Sequence, residues 1–531
     1  MSSSNANRTV AIGLLSAICA SAVIYYALSY VMSSEKKKPV KKSKRVVKEE
    51  EKAEPVLTSC TVSAPGKALI AGGYLVLDTG KLGLVIGASA RFHTTAYLSP
   101  RKERNTAGTI RIAVNSIQFH QQLQLLFNTQ TDVLECIGSA HNEFIEKCVH
   151  VVLLFVKGVT EEAEFARIMA LIGSRKEMVV LLRADNDFYS QISSLQSRRM
   201  TIGSDSLRSL ERFRSSTIQH DGAVKIAKTG MGSSAALTTS LVAALLEFFG
   251  VIKLSLRKAN DRRLVHNLSQ IAHALAQGKI GSGFDVAAAV YGSVIYSRFN
   301  PLMIAGLSEQ LSPSVVYEAV TNPSAWDQTI TEFTLPAPLD LMMGDVSGGS
   351  NSVAMSRTVL DWLNGPGEEA GELWAEIAQV NTSICSLFRK LSDASVSSPV
   401  LFKSSIKRAG AISYEKWNPA DPVESILLEI KHSFRMVRKL LKTMGEKSGV
   451  DIEPEAQTQL VDATDAAVGV LCAGVPGAGG VDAIFCIVFS ETARLAVESV
   501  WAQWQGTIVC PLLVKSDTGA ESGVRMEPLH I

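Results

Sequence analysis

Apolar positions along the chain follow two different periods. In "LTSCTVSAPGKALIAGGYLVLD" (57–78) and "LGLVIGASARFHTTAYLS" (82–99), small and β-branched residues alternate around Gly/Pro turns, which predicts strands, the first stretch ending in a second strand or short helix. Residues 234–249 and 259–277 carry helical spacing, and "HNEFIEKCVHVVLLFVKGV" (141–159) predicts a further helix. "AVKIAKT" (223–229) reads as a strand feeding the first of these helices, and "YGSVIYSRF" (291–299) as a strand after the second. Beyond "PAPLDLMMGDVSGGSNS" (336–352) the pattern is mostly helical to about residue 450. A glycine loop, an apolar strand, one more helix and a last strand, "GTIVCPLLV", close the chain. Residues 101–220 are less regular, with polar runs such as "SSLQSRRMTIGSDSLRSLERFRSS", and part of them reads as insertions. The pattern predicts an α+β architecture in two lobes, 56–330 and 331–531, after a separate N-terminal segment, 1–55.

That first segment has its own character. Residues 9–34 contain no charged side chain, and "VAIGLLSAICASAVIYYALSYVM" is long enough to span a bilayer, which takes roughly 20 apolar residues. Tyr25, Tyr26 and Tyr30 lie toward one end as interface anchors do, and "EKKKPVKKSKRVVKEEEK" follows at once. The run exceeds what a cleavable signal peptide needs, although "ASA" resembles a cleavage site. The expectation is a single transmembrane helix, with the charge asymmetry placing the body on the cytosolic side and the basic run attracting anionic headgroups.

Composition narrows the field. The 531 residues are 46% hydrophobic and 20% charged, as in a globular protein with a large core. The first 52 residues carry ten Lys/Arg against four Glu, or +6, which leaves the rest of a chain of net +2 at −4. A mildly acidic body gives no electrostatic case for binding nucleic acid. Eight cysteines without CxxC spacing suggest reduced thiols, with neither a disulfide framework nor a zinc site.

The chemistry concentrates in glycine loops. In "KTGMGSSAALTT", Gly230, Gly232, Ser233 and Ser234 stand where helical periodicity begins. Glycines there expose helix-start amides as an anion cradle, and a serine hydroxyl can reach phosphate or Mg²⁺. A serine-capped helix is the plain alternative. The run Gly230 to Ala235 also satisfies the G-x-G-x-x-A of dinucleotide folds, but the acidic residue that pattern wants would be Glu247, which lies inside the apolar helix. No GK[ST] follows, so it is not a P-loop. A second loop places Lys67 directly after Pro65-Gly66. A third, "GVPGAGGVD", holds Gly474, Gly477, Gly479 and Gly480, four where a turn needs one or two, so another backbone or a ligand approaches closely.

Taken in order, "PGK", "GMGSSAA" and "GAGG" resemble the three signature motifs of the GHMP small-molecule kinases. "SAPGKALIAGGYLVLD", "KTGMGSSAALTTSLVAALL", "AHALAQGKIGSGFDVAAAVYGSVIYSRF" and "GVPGAGGVDAIF" are most similar to the eukaryotic type of phosphomevalonate kinase within that superfamily. The resemblance implies a ribosomal-protein-S5-domain-2-like N-terminal lobe, a ferredoxin-like C-terminal lobe, and ATP meeting phosphomevalonate in the cleft between them. It has no counterpart for the N-terminal anchor.

By the same resemblance Lys67 and Asp285 are catalytic, and Lys228, Gly230, Met231, Gly232, Ser233, Ser234 and Ala235 form the ATP-phosphate loop, with Ser234 also on Mg²⁺. Arg91, Lys279, Ser282, Arg298, Ser347, Ser350, Gly477, Gly479 and Gly480 are the candidates for the acceptor side. Mevalonate kinases carry a metal-binding glutamate ahead of the aspartate; here there is no acid, and His273 lies in that region. The implied reaction is ATP-dependent phosphorylation of 5-phosphomevalonate in isoprenoid synthesis. An alcohol acceptor such as mevalonate, or a silent GHMP-fold binding protein, are the alternatives.

Overall fold

The computed structural model describes residues 57–531 apart from 174, 216, 219–223, 226, 308–310, 347–351, 520 and 530–531. Its first strand, β1 (Cys60–Ala71), is a nearly continuous run of small and apolar residues, and all twelve are buried. Then come β2 (Gly83–Pro100), β3 (Thr109–Ser116), β4 (Gln121–Asn128), β5 (Leu134–Cys136), helix α1 (Glu143–Val159) and β6 (Lys176–Ala184). Helices α2 (Ser233–Phe248), α3 (Ala259–Gln277) and α4 (Phe284–Tyr291) precede β7 (Val294–Ser297) and β8 (Thr329–Glu332). These strands form one sheet in the order β8-β7-β2-β6-β3-β4-β5, with β1 also paired to β2. The long β2 makes this possible. Leu84–Ala96 pairs with β1, while β7 takes Gly83–Val85 and β6 takes Phe92–Pro100.

Helix α2 is apolar on nearly every side and lies inside the molecule against β1, β2, α1, α3 and α4. The second sheet is antiparallel and has the order β10 (Val470–Gly474), β11 (Ala483–Val488), β9 (Asp340–Val346), β12 (Val509–Pro511). Two long helices, α5 (Glu368–Ser397) and α6 (Pro422–Ser448), pack on each other, and α6 packs on β10. The chain then returns to its beginning. β13 (Arg525–Glu527) pairs with β1 at Thr61–Ser63, past the strand expected to be last.

The α+β architecture and the helices at 143–159, 233–248 and 259–277 match the sequence pattern within two residues. Residues 101–220 supply β3 to β6, which are strands of the first sheet. The expected membrane-spanning helix is corrected: among the described residues no helix is long and apolar enough to cross a membrane. Residues 9–34, on which that expectation rested, lie outside the described residues.

Candidate active site

The site begins at a break in the β1–β2 ladder. Pro65 lies opposite Arg91 but Gly66 lies opposite Ala88, so Ser89 and Ala90 bulge out of β2. Proline has no N–H to give the ladder, and a bulge here re-aims the strand. Directly after it, the Lys67 amide donates to Met231 O at 3.0 Å, on the edge of β1 away from β2. Gly66 is required for that approach: a Cβ there would stand 2.9 Å from the Phe188 ring and 3.1 Å from Met231 O. The Lys67 ammonium donates to Gly230 O at 2.7 Å and lies 5.3 Å from the centre of the Phe284 ring. Burial pushes its pKa below the usual lysine value, and the nearby Asp285 carboxylate works against that shift.

The loop that accepts Lys67 is anchored from beneath by Thr229, whose hydroxyl donates to Asp187 O at 2.6 Å. Gly230 and Gly232 both have positive φ, 74° and 72°. Gly232 is the N-cap of α2, and no side chain caps that helix. The serine-cap reading therefore fails, and the helix-start amides are left for an anion. The Ser234 hydroxyl is instead 3.1 Å from His273 Nε2 and accepts from Gln277 Nε2 at 3.3 Å. Burial lowers the His273 pKa, which keeps its ring neutral at pH 7.

Asp285 sits in the first turn of α4, its Oδ1 accepting from the Val286 amide at 3.0 Å. Gly232 shows how closely these parts meet. A Cβ on it would lie 3.1 Å from Lys67 Cε and 3.6 Å from Asp285 Cβ. Two helix starts and one buried lysine thus converge on a single point. Beside them opens a cleft of about 410 Å³ bordered by Lys228, Ser233 and Ser234. Its apolar walls include Phe92, Phe119, Phe144 and Tyr189, a lining suited to a nucleobase. These aromatics were not among the sequence candidates. They come from four separate elements, and only the sheet order brings them together.

The other candidates divide. Lys228 is exposed at the cleft, and Met231 and Ala235 are buried in the loop's support. Lys279 is exposed, and Ser282 is buried with its carbonyl accepting from the Tyr296 hydroxyl at 2.8 Å. Arg91 is buried among protein partners. It is 3% exposed and binds Ser63 Oγ (2.6 Å), Asp517 (3.1 Å) and Gly523 O (2.5 Å), pinning the returning C-terminal segment to β1 and β2. Arg298 is likewise occupied by the carbonyls of Leu77, Ile280 and Gly281. Backbone approaches the third glycine loop closely. Gly477 N donates to Leu69 O at 3.0 Å, Gly480 N donates to Ile452 O at 2.8 Å, and a Cβ on Gly479 would be 2.1 Å from Ile452 O. Ser347 and Ser350 lie outside the described residues.

Comparison with known proteins agrees with this geometry. The model of the GHMP kinases N terminal domain matches residues 208–293, which include the glycine loop and Asp285. The chain is 34% identical over 483 residues to a peroxisomal phosphomevalonate kinase of Arabidopsis thaliana, covering 86% of this chain and 94% of the relative. It is 34% identical over 496 residues to a phosphomevalonate kinase of Gibberella zeae, covering 88% and 97%. In fold it is similar to Streptococcus pneumoniae phosphomevalonate kinase in complex with phosphomevalonate and AMPPNP, at TM-score 0.50 and 16% identity over 85% of this chain and 99% of that one. The expected membrane-anchored, cytosol-facing placement is corrected as well: the described residues hold no helix able to span a bilayer, and the Arabidopsis relative carries a peroxisomal name. With about a third of its residues shared across nearly the full length of two such enzymes, the chain belongs to the phosphomevalonate kinases of the GHMP kinase superfamily.

Proposed function

We propose that this enzyme transfers the γ-phosphoryl group of ATP to the phosphate of (R)-5-phosphomevalonate, giving (R)-5-diphosphomevalonate and ADP in isoprenoid synthesis. The observation that carries the reading is the meeting of Lys67, Gly232 and Asp285 at one point. ATP enters the aromatic cleft with its phosphates on the α2 helix start, where the Gly230–Ala235 amides replace solvent as donors.

The acceptor phosphate has a second pKa near ~6, so most of it is ionised at pH 7 and little proton abstraction is needed. The difficulty lies in bringing two polyanions together. Lys67 offsets part of that repulsion, and Asp285 orients Lys67 and the acceptor. Lys228 and Lys279 are the exposed cations of the motif segments that remain for incoming phosphates.

Mg²⁺ fits the residues present. Ser234 offers a hard oxygen, and the neutral His273 beside it puts no positive charge in the way. Ser234, together with the ATP phosphates, would hold the ion, which neutralises charge on the transferring group. We read 56–330 and 331–531 as the two lobes, with the aromatic cleft lined by residues of the first.

The test is ADP release by the purified protein with phosphomevalonate against mevalonate as acceptor. Turnover with phosphomevalonate alone supports the reading, and turnover with mevalonate alone refutes it.

A further inference from the structure

Asp285 is carried by a loop, Gly278 to Gly283, that has three glycines in six residues. Such a segment has many conformations open to it, so whatever holds it also holds the carboxylate. Its carbonyls are held one after another. Arg298 Nη2 donates to Ile280 O at 3.2 Å and to Gly281 O at 2.9 Å. The Tyr296 hydroxyl donates to Ser282 O at 2.8 Å, and Gln270 Nε2 donates to Gly283 O at 2.8 Å. Four consecutive carbonyls are thus turned toward side chains of the protein. Tyr296 and Arg298, two residues apart, approach from the β7 side, and Gln270 approaches from α3.

The Gln270 end has support of its own. Asn267 Nδ2 donates to Val320 O at 3.0 Å, so its Oδ1 is the acceptor facing His266 Nδ1, also at 3.0 Å. The proton of His266 therefore lies on Nδ1, and Nε2 is free to accept from Gln270 Nε2 at 3.1 Å. Burial lowers the His266 pKa to about 4, which keeps the ring in that neutral form. Gly283 lets the carboxamide come close: with φ +82°, a Cβ on it would sit 2.7 Å from Gln270 Oε1.

We propose that Gln270, Tyr296 and Arg298 are positioning residues for phosphoryl transfer, a clamp that fixes the backbone of the 280–283 loop and so sets where Asp285 meets Lys67. The proposal rests on the reading of Asp285 given above. The clamp touches neither ATP nor acceptor, so its loss lowers turnover while both substrates still bind.

Tyr296→Phe keeps the ring and removes one donor; Gln270→Leu removes another at similar volume. Each is expected to lower kcat about 10- to 100-fold, the scale of a misplacement near 1 Å, with both KM values unchanged within about twofold. In single-turnover measurements on an Asp285→Asn background, adding Tyr296→Phe is expected to change the rate less than about twofold, since a misplaced asparagine has little left to lose. The proposal is overturned if Tyr296→Phe keeps wild-type kcat, if KM rises while kcat holds, or if the fold-loss is equal in both backgrounds. Should Gln270→Leu fail to fold, Tyr296→Phe decides. A wild-type protein that does not consume ATP with phosphomevalonate defeats the functional reading instead, and the two failures are distinct.

Discussion

Replacing Gly232 by alanine separates backbone strain from the contact that assembles the site. At φ +72° an alanine sits in the left-handed region, which costs about 1–2 kcal/mol. With an unfolding entropy of roughly 2 cal/mol/K per residue, a body of this length loses only about 1–2 °C of Tm for that cost. The contact is a separate matter. The new methyl would meet Lys67 Cε at 3.1 Å and Cγ at 3.3 Å, so the lysine must yield by a few tenths of an ångström. It cannot swing freely, because its ammonium is bound to Gly230 O at 2.7 Å. If a 1 Å displacement near the chemistry costs about 100-fold, this smaller one costs about 4- to 10-fold in kcat. Gly250, at the other end of the same helix, supplies the control, with φ +74° and nothing within 4 Å of a Cβ. Steady-state kinetics at saturating ATP and phosphomevalonate, together with thermal unfolding, should show both variants losing similar Tm and only Gly232→Ala losing turnover. Wild-type kcat in Gly232→Ala, or an equal loss in Gly250→Ala, would refute the reasoning.

Three further outcomes follow from the same contacts. His266 has a folded pKa near 4 against an ordinary 6.5, so the stability gained by keeping it neutral is full above pH 6.5 and is lost as pH falls toward 4. Thermal unfolding against pH should lose about 3 kcal/mol less over that window in His266→Gln than in wild type, and parallel curves would rule the effect out. Arg91→Met breaks a buried pair and should cost about 3–5 kcal/mol of stability with the KM for phosphomevalonate unchanged; a raised KM at unchanged Tm would return Arg91 to the substrate site. Ser234→Ala should raise the Mg²⁺ concentration needed for half-maximal rate, and an unshifted Mg²⁺ titration would remove Ser234 from the metal.

What could be read from the sequence depended on the range of the interaction. The helices α2 and α3 were legible because each is set by many consecutive apolar positions, and Lys67, the 230–235 loop and Asp285 because each motif carries its own turn chemistry. The fates of Arg91 and Arg298 were not. Arg91 finds Asp517 and Gly523 across 426 and 432 residues of chain, and no local pattern announces such partners. β3 pairs in parallel with β6 across more than sixty residues, so no local pattern announces that these two strands share a sheet. Tyr296 and Gln270 left a fainter mark. Each is a polar-tipped residue that the fold buries, and such a residue must find a partner.

Where the arginines went bears on how the site handles charge. A guanidinium presents several donors in a rigid fork, suited to holding more than one carbonyl at once, and Arg298 does this for Leu77, Ile280 and Gly281. A lysine is a compact point charge, and Lys67 stands buried between the two helix starts. The α2 and α4 N-termini add their partial positive charges at the same place. Asp285, in the first turn of α4, is an anion placed where that dipole favours one. On the proposed function, the field at the reacting phosphates comes largely from groups that cannot move away: backbone amides at two helix starts and one tethered ammonium. Preorganised donors of this kind need little rearrangement when charge shifts during transfer, which is why the rigidity of the loops matters as much as the identity of the side chains they carry.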